Sequence, residues 1–401
     1  MSNSRFIDGF GPLPVARPSS VQELSELVRE AAASGEALYP VGGGTMLDFG
    51  LPPTKPGMAV ELGGFDRVID YPARDMTITV QAGITISRLQ EVLRAEGQRL
   101  PVDVPLPDQA TLGGAVATNA SGPRRFGYGT LRDYVIGISV VNDEGHEIKA
   151  GGRVVKNVAG YDLMKLYTGS LGTLGVITQL TLKVRPLPEA SRWVILQCGS
   201  NRVADLLNRL STTRTRPCAV TVCGMGAETI PGTQVLVGFE DNACAVEWQV
   251  TTLREELPDQ GVEELNEPEL GELLAAIRDF PIAAQSGVVF KASVLRARTW
   301  DFCQRAATTT PLFFFQGHAG NGIVFGNIVE ANAETTRTLK DLIRVAGDFS
   351  GNVVVTRCPT EWKSVVPVWG RSTPDRELMK AVKDKLDPRR IFNPGRFVDG
   401  I

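Results

Sequence analysis

The chain has 401 residues, 43% of them hydrophobic, which is enough to bury large cores in two or three domains. Its 42 basic and 45 acidic side chains leave a net charge of −3 without a basic cluster, which excludes nucleic acid as an expected partner. The stretch 1–10 is polar and no run of about eighteen apolar residues occurs, so we expect a cytoplasmic protein without a transmembrane segment.

The first predicted elements alternate between helix and strand. A capping-box pattern, Ser20 with Glu23, predicts the start of a helix that runs to Gly35. An apolar strand follows at 38–41 and opens into the glycine triplet 42–44. This order is typical of a layered domain of helices and strands.

The glycine triplet is the first candidate for ligand binding. Three residues without Cβ atoms let the backbone take positive φ, so that its N–H groups can converge on a phosphate. Neither a P-loop nor a Rossmann fingerprint fits, because no Gly-Lys-Ser/Thr follows and Leu47 stands where the last glycine should be. Glycine triplets also form ordinary turns, so a phosphate loop and a plain turn both remain open.

A second helix–strand unit precedes a stretch of small residues. An alternating strand at 76–82 is followed by an amphipathic helix from Ile86 to Gly97. A helix beginning near Thr111 would expose unpaired N–H groups to a ligand, and Gly113 and Gly114 would allow the closest approach. Tight packing between helices explains the same small residues equally well.

The last part of this half predicts a hairpin and a closing strand. A buried strand at 134–141, a turn at 142–145 and a returning strand at 146–150 form the hairpin. His146 follows the turn, so we expect it to be exposed and inert. A strand at 176–184 ends the domain before two prolines.

Four stretches carry a resemblance to a known family: Pro40–Met46 (PVGGGTM), Thr111–Gly114 (TLGG), Thr118–Ser121 (TNAS) and Gly172–Ile177 (GTLGVI). In order and spacing they resemble the flavin-contacting stretches of the p-cresol methylhydroxylase/vanillyl-alcohol oxidase type (PCMH-type) FAD-binding domain. The resemblance covers about residues 16 to 189. It implies bound FAD, with the pyrophosphate on 42–45 and the flavin along the small residues.

The resemblance also implies a set of cofactor-binding residues. They are Val41, Gly42, Gly43, Gly44, Thr45, Met46, Pro107, Thr111, Leu112, Gly113, Gly114, Thr118, Asn119, Ala120, Ser121, Gly172, Thr173, Leu174, Gly175, Val176 and Ile177. Those at 172–177 would contact the cofactor through the backbone. No histidine lies near the first loop, whereas relatives that attach flavin covalently often use one, so we expect non-covalent FAD.

The second half repeats one order of elements twice, separated by an acidic linker at 258–272. Strands are predicted at 193–198, 219–223, 234–239, 286–295, 312–316, 321–329 and 351–356, with helices at 201–211, 243–257, 299–309 and 331–347. Two ferredoxin-like halves would form one antiparallel sheet with helices on a single face. This domain resembles the cap of FAD-linked 2-hydroxyacid oxidases.

The expected fold is therefore α+β: a two-subdomain PCMH-type FAD-binding domain at 1–189 and a ferredoxin-like antiparallel-sheet cap at 190–372. The tail at 373–401 contains a helix from Pro374 to Leu386 and then Asp387–Arg396 (DPRRIFNPGR). This ending also resembles the family, in which the segment returns to the FAD domain. Ile391 and Phe392 need burial, which favours the same arrangement.

The string Gly151–Asp162 (GGRVVKNVAGYD), the length and the tail together resemble the FAD-binding E subunits of bacterial glycolate oxidases. This implies oxidation of glycolate to glyoxylate within a complex that holds a homologous FAD subunit and an iron–sulfur subunit. The complex would attach the chain to the inner membrane only peripherally. The implied substrate is a small 2-hydroxy acid.

Catalytic relatives carry G-H-x-G-D-G-x-x-H in the cap, where two histidines hold a divalent metal. Here the string is Gly317–Phe325 (GHAGNGIVF): His318 remains, but Asn321 and Phe325 replace the aspartate and the second histidine. The same relatives also carry a Glu-His pair on a later strand, and neither residue occurs near 356–358 in this chain. A lone imidazole has too few ligands for a divalent ion, so no metal is expected and the catalytic residues stay unidentified.

His318 is interpreted as a structural histidine at a turn. A cation for the substrate carboxylate could come from Arg296, Arg298 or Arg357. The six cysteines have no C-x-x-C spacing and no neighbouring histidine, so neither a zinc nor an iron–sulfur site is expected.

Three hypotheses follow. The first is an FAD-carrying subunit whose homologous partner performs most of the oxidation. The second is a self-sufficient FAD-linked 2-hydroxyacid dehydrogenase, such as a D-lactate dehydrogenase, with a metal-free site. The third is a non-catalytic scaffold of the same fold. The intact glycine loop and the GTLGVI stretch count against the scaffold, and the altered histidine string counts against the self-sufficient enzyme.

Overall fold

The computed structural model describes residues 3–153, 160–225, 233–282, 287–309, 313–329 and 332–401. The string Gly151–Asp162 therefore lies partly outside the described residues. The chain forms two compact units. Unit 1 comprises Met1–Ala120, Thr130–Leu187 and Ser372–Ile401, and unit 2 comprises Ser121–Gly129 and Pro188–Arg371.

Helices and strands alternate through both units. The strands are β1 (Ser4–Ile7), β2 (Phe10–Ala16), β3 (Ala37–Val41), β4 (Gly57–Glu61), β5 (Val68–Asp70), β6 (Thr77–Gln81), β7 (Gln98–Arg99), β8 (Val135–Val141), β9 (Glu147–Gly151), β10 (Val176–Lys183), β11 (Arg185–Pro186), β12 (Ala190–Gln197), β13 (Ala219–Met225), β14 (Gln234–Asp241), β15 (Val262–Glu264), β16 (Val288–Ser293), β17 (Phe313–His318), β18 (Ile323–Ile328) and β19 (Asn352–Arg357). The α-helices are α1 (Val21–Ser34), α2 (Ile86–Arg94), α3 (Leu112–Thr118), α4 (Arg125–Tyr128), α5 (Leu131–Tyr134), α6 (Leu163–Tyr167), α7 (Val203–Ser211), α8 (Ala243–Glu256), α9 (Glu267–Asp279), α10 (Thr299–Ala307), α11 (Ala333–Asp348) and α12 (Arg376–Leu386).

Unit 1 contains two main sheets. The first has the strand order β1-β2-β4-β3, with β4 parallel to both of its neighbours. The second, β5-β6-β10-β8-β9, is antiparallel throughout. β3 and β10 therefore belong to different sheets, and each adjoins one of the predicted cofactor stretches: the glycine triplet follows β3, and the GTLGVI stretch runs into β10.

The start of α1 follows the predicted capping chemistry with one change. The Ser20 hydroxyl accepts a hydrogen bond from the Glu23 backbone N–H, as expected for an N-cap. The Glu23 carboxylate returns to the N–H and hydroxyl of Ser19, one residue before the N-cap. Gly35 ends the helix with φ of +75°.

The chain's C-terminal segment contributes to the core of unit 1. Ile391 and Phe392 are completely buried, in one cluster with residues of α1, β3 and β4 such as Leu24, Leu38 and Val60. Backbone hydrogen bonds join Leu38 to Ile391 and Asn393, so the segment runs beside β3 just before the glycine triplet.

Unit 2 is built on one antiparallel sheet with the order β15-β12-β14-β13-β17-β18-β16-β19. Each half has the ferredoxin-like βαββαβ order, and the two halves meet where β13 pairs with β17. The predicted α+β class and the repeated ferredoxin-like pattern are confirmed. The edge strand β15 and the first six residues of α9 fall within the stretch 258–272, so the prediction of a plain linker there is wrong.

The prediction that all helices lie on one face of this sheet is also wrong. Ile277 of α9 packs with Ile195 and Leu236, whose neighbours Val194 and Val237 point to the opposite face and are completely buried. The first half of the sheet is therefore covered on both sides. The acidic residues at 258–272 suggested a linker, but the chain there enters helix α9, whose apolar residues cover side chains of the sheet.

Candidate functional site

Three of the four predicted cofactor stretches meet around one cavity in unit 1. It is lined by Pro40, Gly42, Leu62, Ala82, Thr111, Gly113, Gly114, Ala117, Leu171, Gly172, Gly175 and Ile177. Its volume of about 60 Å³ is far below that of a typical ligand pocket, so a molecule as long as FAD would fill it with only part of its length.

The glycine triplet follows β3 directly, but its glycines serve two different purposes. Only Gly44 has a positive φ, +72°. A Cβ on Gly42 would overlap the Thr111 hydroxyl, and a Cβ on Gly43 would overlap the carbonyl oxygen of Gln109. The first two glycines are thus required by close packing of this loop on the 109–111 segment, which is a different reason from the positive φ that the sequence suggested.

The same loop offers unpaired donors. Within the described residues, the backbone N–H groups of Gly43, Gly44 and Thr45 form no hydrogen bond. The guanidinium of Arg5, whose Nε and Nη2 donate to Glu61, lies beside them, with Nη1 3.3 Å from the position a Cβ on Gly44 would take. Free N–H groups next to a cation suit an anion such as a pyrophosphate. Arg5, on the N-terminal strand, was missed because nothing in the sequence near it marks a ligand.

The start of α3 is different from what its sequence suggested. The N–H groups of Leu112 and Gly113 donate to the carbonyls of Ile84 and Ala82, at 2.9 and 2.7 Å. The Gly114 N–H donates to the Thr111 hydroxyl at 3.3 Å. These donors are therefore not free for a ligand, and the expectation of an exposed helix N-terminus is wrong. A Cβ built on Gly113 would lie 2.8 Å from the Cβ of Ala82, so the absence of this atom makes room for Ala82.

The end of α3 leaves one acceptor without a partner. Asn119 ends the helix with φ of +51°, and its Oδ1 is buried without a hydrogen bond. The Thr118 hydroxyl donates to the Gly114 carbonyl at 3.0 Å, and the Ala120 N–H donates to the Ala115 carbonyl, so neither group is free to bind a ligand. A ligand donor at Asn119 would satisfy the buried oxygen.

The Gly172–Ile177 stretch presents its backbone to the cavity. Leu171 and Gly172 both have positive φ, +51° and +66°. The side chains of Leu174 and Val176 are buried, whereas the N–H groups of Gly172, Leu174 and Gly175 have no acceptor among the described residues. Backbone contact is thus the contact that this stretch can offer.

The remaining predicted cofactor residues do not line the cavity. They are Val41, Gly43, Gly44, Thr45, Met46, Pro107, Leu112, Thr118, Asn119, Ala120, Ser121, Thr173, Leu174 and Val176. Pro107 accepts a hydrogen bond from the Ser87 N–H, and Ser121 belongs to unit 2.

In unit 2, His318 ends β17 and is 2% exposed. Gln316 Nε2 lies 2.8 Å from His318 Nε2, so the amide donates and the imidazole proton stays on Nδ1. Burial first, then the charges of Lys291 and Arg125, lowers the pKa of His318 to about 3. The ring is neutral and meets the Phe325 ring edge-on at 5.6 Å.

Lys291 is the residue that sequence reasoning missed here. It stands on β16 directly opposite Phe325, which in turn is opposite Gln316. Burial first, then the charge of Arg125, lowers the pKa of Lys291 to about 8. No carboxylate pairs with Lys291 among the described residues. The only signal in the sequence is a lone lysine in the apolar strand 288–293.

Unsatisfied polar atoms accompany these two side chains. Gln316 Oε1, Asn321 Nδ2 and Asn327 Oδ1 are all buried without a hydrogen-bond partner. By strand register, Lys291, Gln316 and Asn327 share one face of the sheet with His318. The Lys291 ammonium can hold an anionic group and Asn321 Nδ2 can donate to it, whereas the unpaired oxygens of Gln316 and Asn327 would need a donor such as a hydroxyl.

The arginines named from the sequence lie elsewhere in unit 2. Arg296 and Arg298 line a cavity of about 530 Å³ bordered by α7 and α10, of which His318 is not part. Arg298 is paired with Asp301 at 2.8 Å. Arg357 ends β19, opposite Val289. The structure thus brings Lys291, rather than Arg296 or Arg298, close to His318.

Metal ligands and membrane spans were sought throughout the described ranges. No group of three or more His, Cys, Asp or Glu residues is placed to hold a metal ion there. Within the same ranges, no helix has the length and apolar character needed to cross a bilayer. His146 is exposed, as predicted, and its ring hydrogen-bonds Glu144.

Comparison with known proteins supports the cofactor assignment. Residues 12–151 match the family model described as FAD binding domain. The chain is 36% identical over 189 residues to a D-2-hydroxyglutarate dehydrogenase of Xanthomonas citri pv. viticola, covering 47% of this chain and 40% of that protein. It is 35% identical over 189 residues to the Glycolate oxidase subunit GlcE of Escherichia coli, covering 46% of this chain and 53% of that protein.

The match to known structures extends over more of the chain. An alkyldihydroxyacetonephosphate synthase structure superposes with a TM-score of 0.71 at 18% identity, covering 95% of this chain and 75% of that one. This likeness shows the fold. The chain spans only about half the length of the curated relatives it matches.

Proposed function

We propose that this chain, whose first half contains an FAD-binding domain of the PCMH type, is the FAD-carrying subunit of a complex that oxidises a small 2-hydroxy acid. Glycolate, oxidised to glyoxylate, is the proposed substrate. The observation that carries the proposal is the meeting of three cofactor stretches around one cavity, beside a loop with free N–H groups. We assign the cofactor to unit 1 and the cap to unit 2.

The residues present fit FAD. Gly43, Gly44 and Thr45 would hold the pyrophosphate with Arg5 beside them, and the backbone at 172–177 would meet the flavin. Bound FAD supplies an acceptor for the hydride of a 2-hydroxy acid. We propose that it is not covalently attached, since the chain has only two histidines: His146 lies in a surface hairpin and His318 in unit 2.

The chemistry around His318 favours a subunit over a self-sufficient enzyme. Oxidation requires a base for the hydroxyl proton and a positive charge for the carboxylate. Lys291 can supply the charge. His318 is a poor base, because a group with a pKa of about 3 takes up few protons at neutral pH. We therefore assign most of the oxidation to a homologous FAD subunit.

The partners of the proposed complex are this homologous FAD subunit and an iron–sulfur subunit. The likeness to a relative named as a glycolate oxidase subunit supports such an assembly. The complex would work in the cytoplasm and touch the inner membrane only through its other subunits.

A self-sufficient 2-hydroxyacid dehydrogenase remains the second candidate, because Lys291 and His318 stand together on one sheet face. In that enzyme Lys291 would bind the carboxylate and His318 would take the hydroxyl proton. Replacing His318 by glutamine would then abolish turnover by the isolated chain. Under the subunit proposal the same replacement changes little in the assembled complex.

The proposal is tested by purifying the full chain alone and together with a homologous FAD subunit. We expect a yellow protein that releases its flavin into the supernatant on acid precipitation and that co-purifies with the homologous subunit. Flavin that stays with the precipitate would contradict non-covalent binding. A colourless protein that does not take up FAD would favour the scaffold.

A further inference from the structure

The C-terminal segment 383–396 makes side-chain hydrogen bonds to both FAD-binding loops of unit 1. Arg396, 5% exposed, donates to the carbonyls of Leu47, Phe49 and Leu51 at 2.6–2.7 Å. These carbonyls belong to the turn immediately after the glycine triplet. One guanidinium therefore fixes the backbone that follows the loop whose N–H groups at 43–45 have no acceptor among the described residues.

Asn393 contacts the second FAD-binding loop, residues 171–177, at Leu171, where the backbone is most strained. Its Nδ2 donates to the Leu171 carbonyl at 2.6 Å, while the Leu171 N–H donates to Ala117 at 2.9 Å. Leu171 has φ of +51°, a conformation that residues other than glycine rarely adopt without support. The two hydrogen bonds keep this conformation next to Gly172, which lines the cavity.

Lys383 anchors the segment itself. Its ammonium is 2% exposed, donates to the carbonyls of Thr173 and Phe392 at 2.7 and 2.9 Å, and pairs with Asp387. The Asp387 carboxylate also accepts from the N–H groups of Ile391 and Phe392. The second loop and the C-terminal segment thus share one buried ionic centre.

We propose that the segment 383–396 is a positioning clamp for both FAD-binding loops, so that FAD binding and docking of this segment are coupled. Lys383, Asn393 and Arg396 are positioning residues that act through loop carbonyls. The inference rests on the proposed placement of FAD at these loops. Since coupling is reciprocal, FAD that orders the loops also stabilises the docked segment by the same free energy.

The sharpest test is Asn393→Gly in the full chain. Asn393 has φ of +44°, so glycine keeps the backbone conformation and removes only the amide donor. Arg390→Gly is the matched control, because Arg390 also has a positive φ, in the same segment, but among the described residues its guanidinium hydrogen-bonds only the exposed Asp384. The measurements are titration with FAD, the flavin absorption spectrum, and hydrogen exchange of 171–177 in the flavin-free protein.

We expect Asn393→Gly to weaken FAD binding roughly tenfold, as for loss of a hydrogen bond to a buried carbonyl. It should also speed exchange at 171–177 and shift the flavin spectrum, while Arg390→Gly does none of these. FAD should slow exchange at 391–396 in the unmodified chain. Unchanged affinity and exchange in Asn393→Gly, or faster exchange spread equally over β6 and β8, would overturn the clamp.

This experiment distinguishes a failure of the proposed function from a failure of the clamp. An unmodified chain that binds no FAD contradicts the proposed function. The exchange measurement on the flavin-free protein decides about the clamp in either case, because it reports the order of the 171–177 loop directly.

Discussion

The cofactor loops of unit 1 and the polar sheet face of unit 2 are built from different parts of the amino acid. In unit 1 the proposed cofactor surface is backbone: within the described ranges, the N–H groups at 43–45 and those of Gly172, Leu174 and Gly175 have no acceptor, and glycines stand where another loop approaches. In unit 2 the proposed anion site consists of side chains, chiefly Lys291 and His318, contributed by separate strands.

This difference decides what a substitution can do. A backbone site tolerates few changes of shape, since a single Cβ displaces a neighbouring loop. A side-chain site can change one residue and keep its fold, because backbone hydrogen bonds hold the strands together. β17 and β18 pair in unbroken register from Phe313–Ile328 to His318–Ile323, on both sides of the turn that contains Asn321.

The largest expected effect is at Gly43. Gly43→Val should weaken FAD binding at least about a hundredfold, because its Cβ would overlap the Gln109 carbonyl and drive two loops apart. Gly64→Val is the control, since a Cβ there has no neighbour within 4 Å. FAD titration of both variants is the measurement. Full flavin occupancy in Gly43→Val would show that unit 1 does not depend on backbone shape.

The next largest effect is expected from breaking the buried Lys383–Asp387 pair, which contacts the 171–177 loop at the Thr173 carbonyl. Lys383→Met should lower the free energy of unfolding by about 3–5 kcal/mol, because it leaves Asp387 charged and buried. Adding Asp387→Asn removes that charge and should recover part of the loss. Asp384→Ala, which breaks an exposed pair, should cost under about 1 kcal/mol. Denaturant unfolding measures all three, and equal effects would contradict the anchoring role.

The third prediction concerns His318 and acid. Its pKa is about 3 in the folded protein and near 6.5 when unfolded, so the unfolded chain binds more protons between these values. Stability linked to His318 is complete above pH 6.5 and is lost as pH falls towards 3. From pH 7 to 4.5 the loss should be about 2–3 kcal/mol. His318→Gln should lack this component, and identical pH profiles would contradict burial of a neutral imidazole.

The smallest expected effect is on anion binding by Lys291. If its ammonium holds the carboxylate, Lys291→Met should weaken binding of glycolate roughly tenfold, whereas Lys291→Arg should retain most of it. With a pKa of about 8, the charge is present below pH 8 and is lost above it, so affinity should fall as pH rises through that value. Calorimetric titration of the isolated chain measures both effects. Affinity that does not change with pH would remove Lys291 from the site.

Sequence patterns predicted which glycine-containing loops meet around one cavity, because glycines are recognisable in a sequence; that these loops bind the cofactor stays a prediction. The triplet 42–44 and the GTLGVI stretch were recognisable, and Gly42, Gly113 and Gly172 do line one cavity. The physical reason differed: Gly43 and Gly113 make room for protein atoms rather than for a ligand. A pattern of glycines indicates close approach but does not say what approaches.

Other features could not be predicted because they depend on partners distant in sequence. Lys291 gains its place from register with Phe325, and Asn393 from a contact with Leu171 more than two hundred residues earlier. Helix α9 was missed because its acidic residues suggested a linker, although Ile277 is buried. Strand register and long-range contacts decide these cases, and neither is written in local periodicity.

The most direct test of the account is anaerobic reduction of the flavin in the isolated, FAD-loaded chain. Excess glycolate or D-lactate is added and the flavin absorbance is followed, with dithionite as a control that the flavin can be reduced. We expect the flavin to stay oxidised with either acid and to bleach with dithionite, because His318, with a pKa of about 3, is a poor base. Rapid bleaching by a 2-hydroxy acid that is lost in His318→Gln would contradict the account and establish a self-sufficient dehydrogenase.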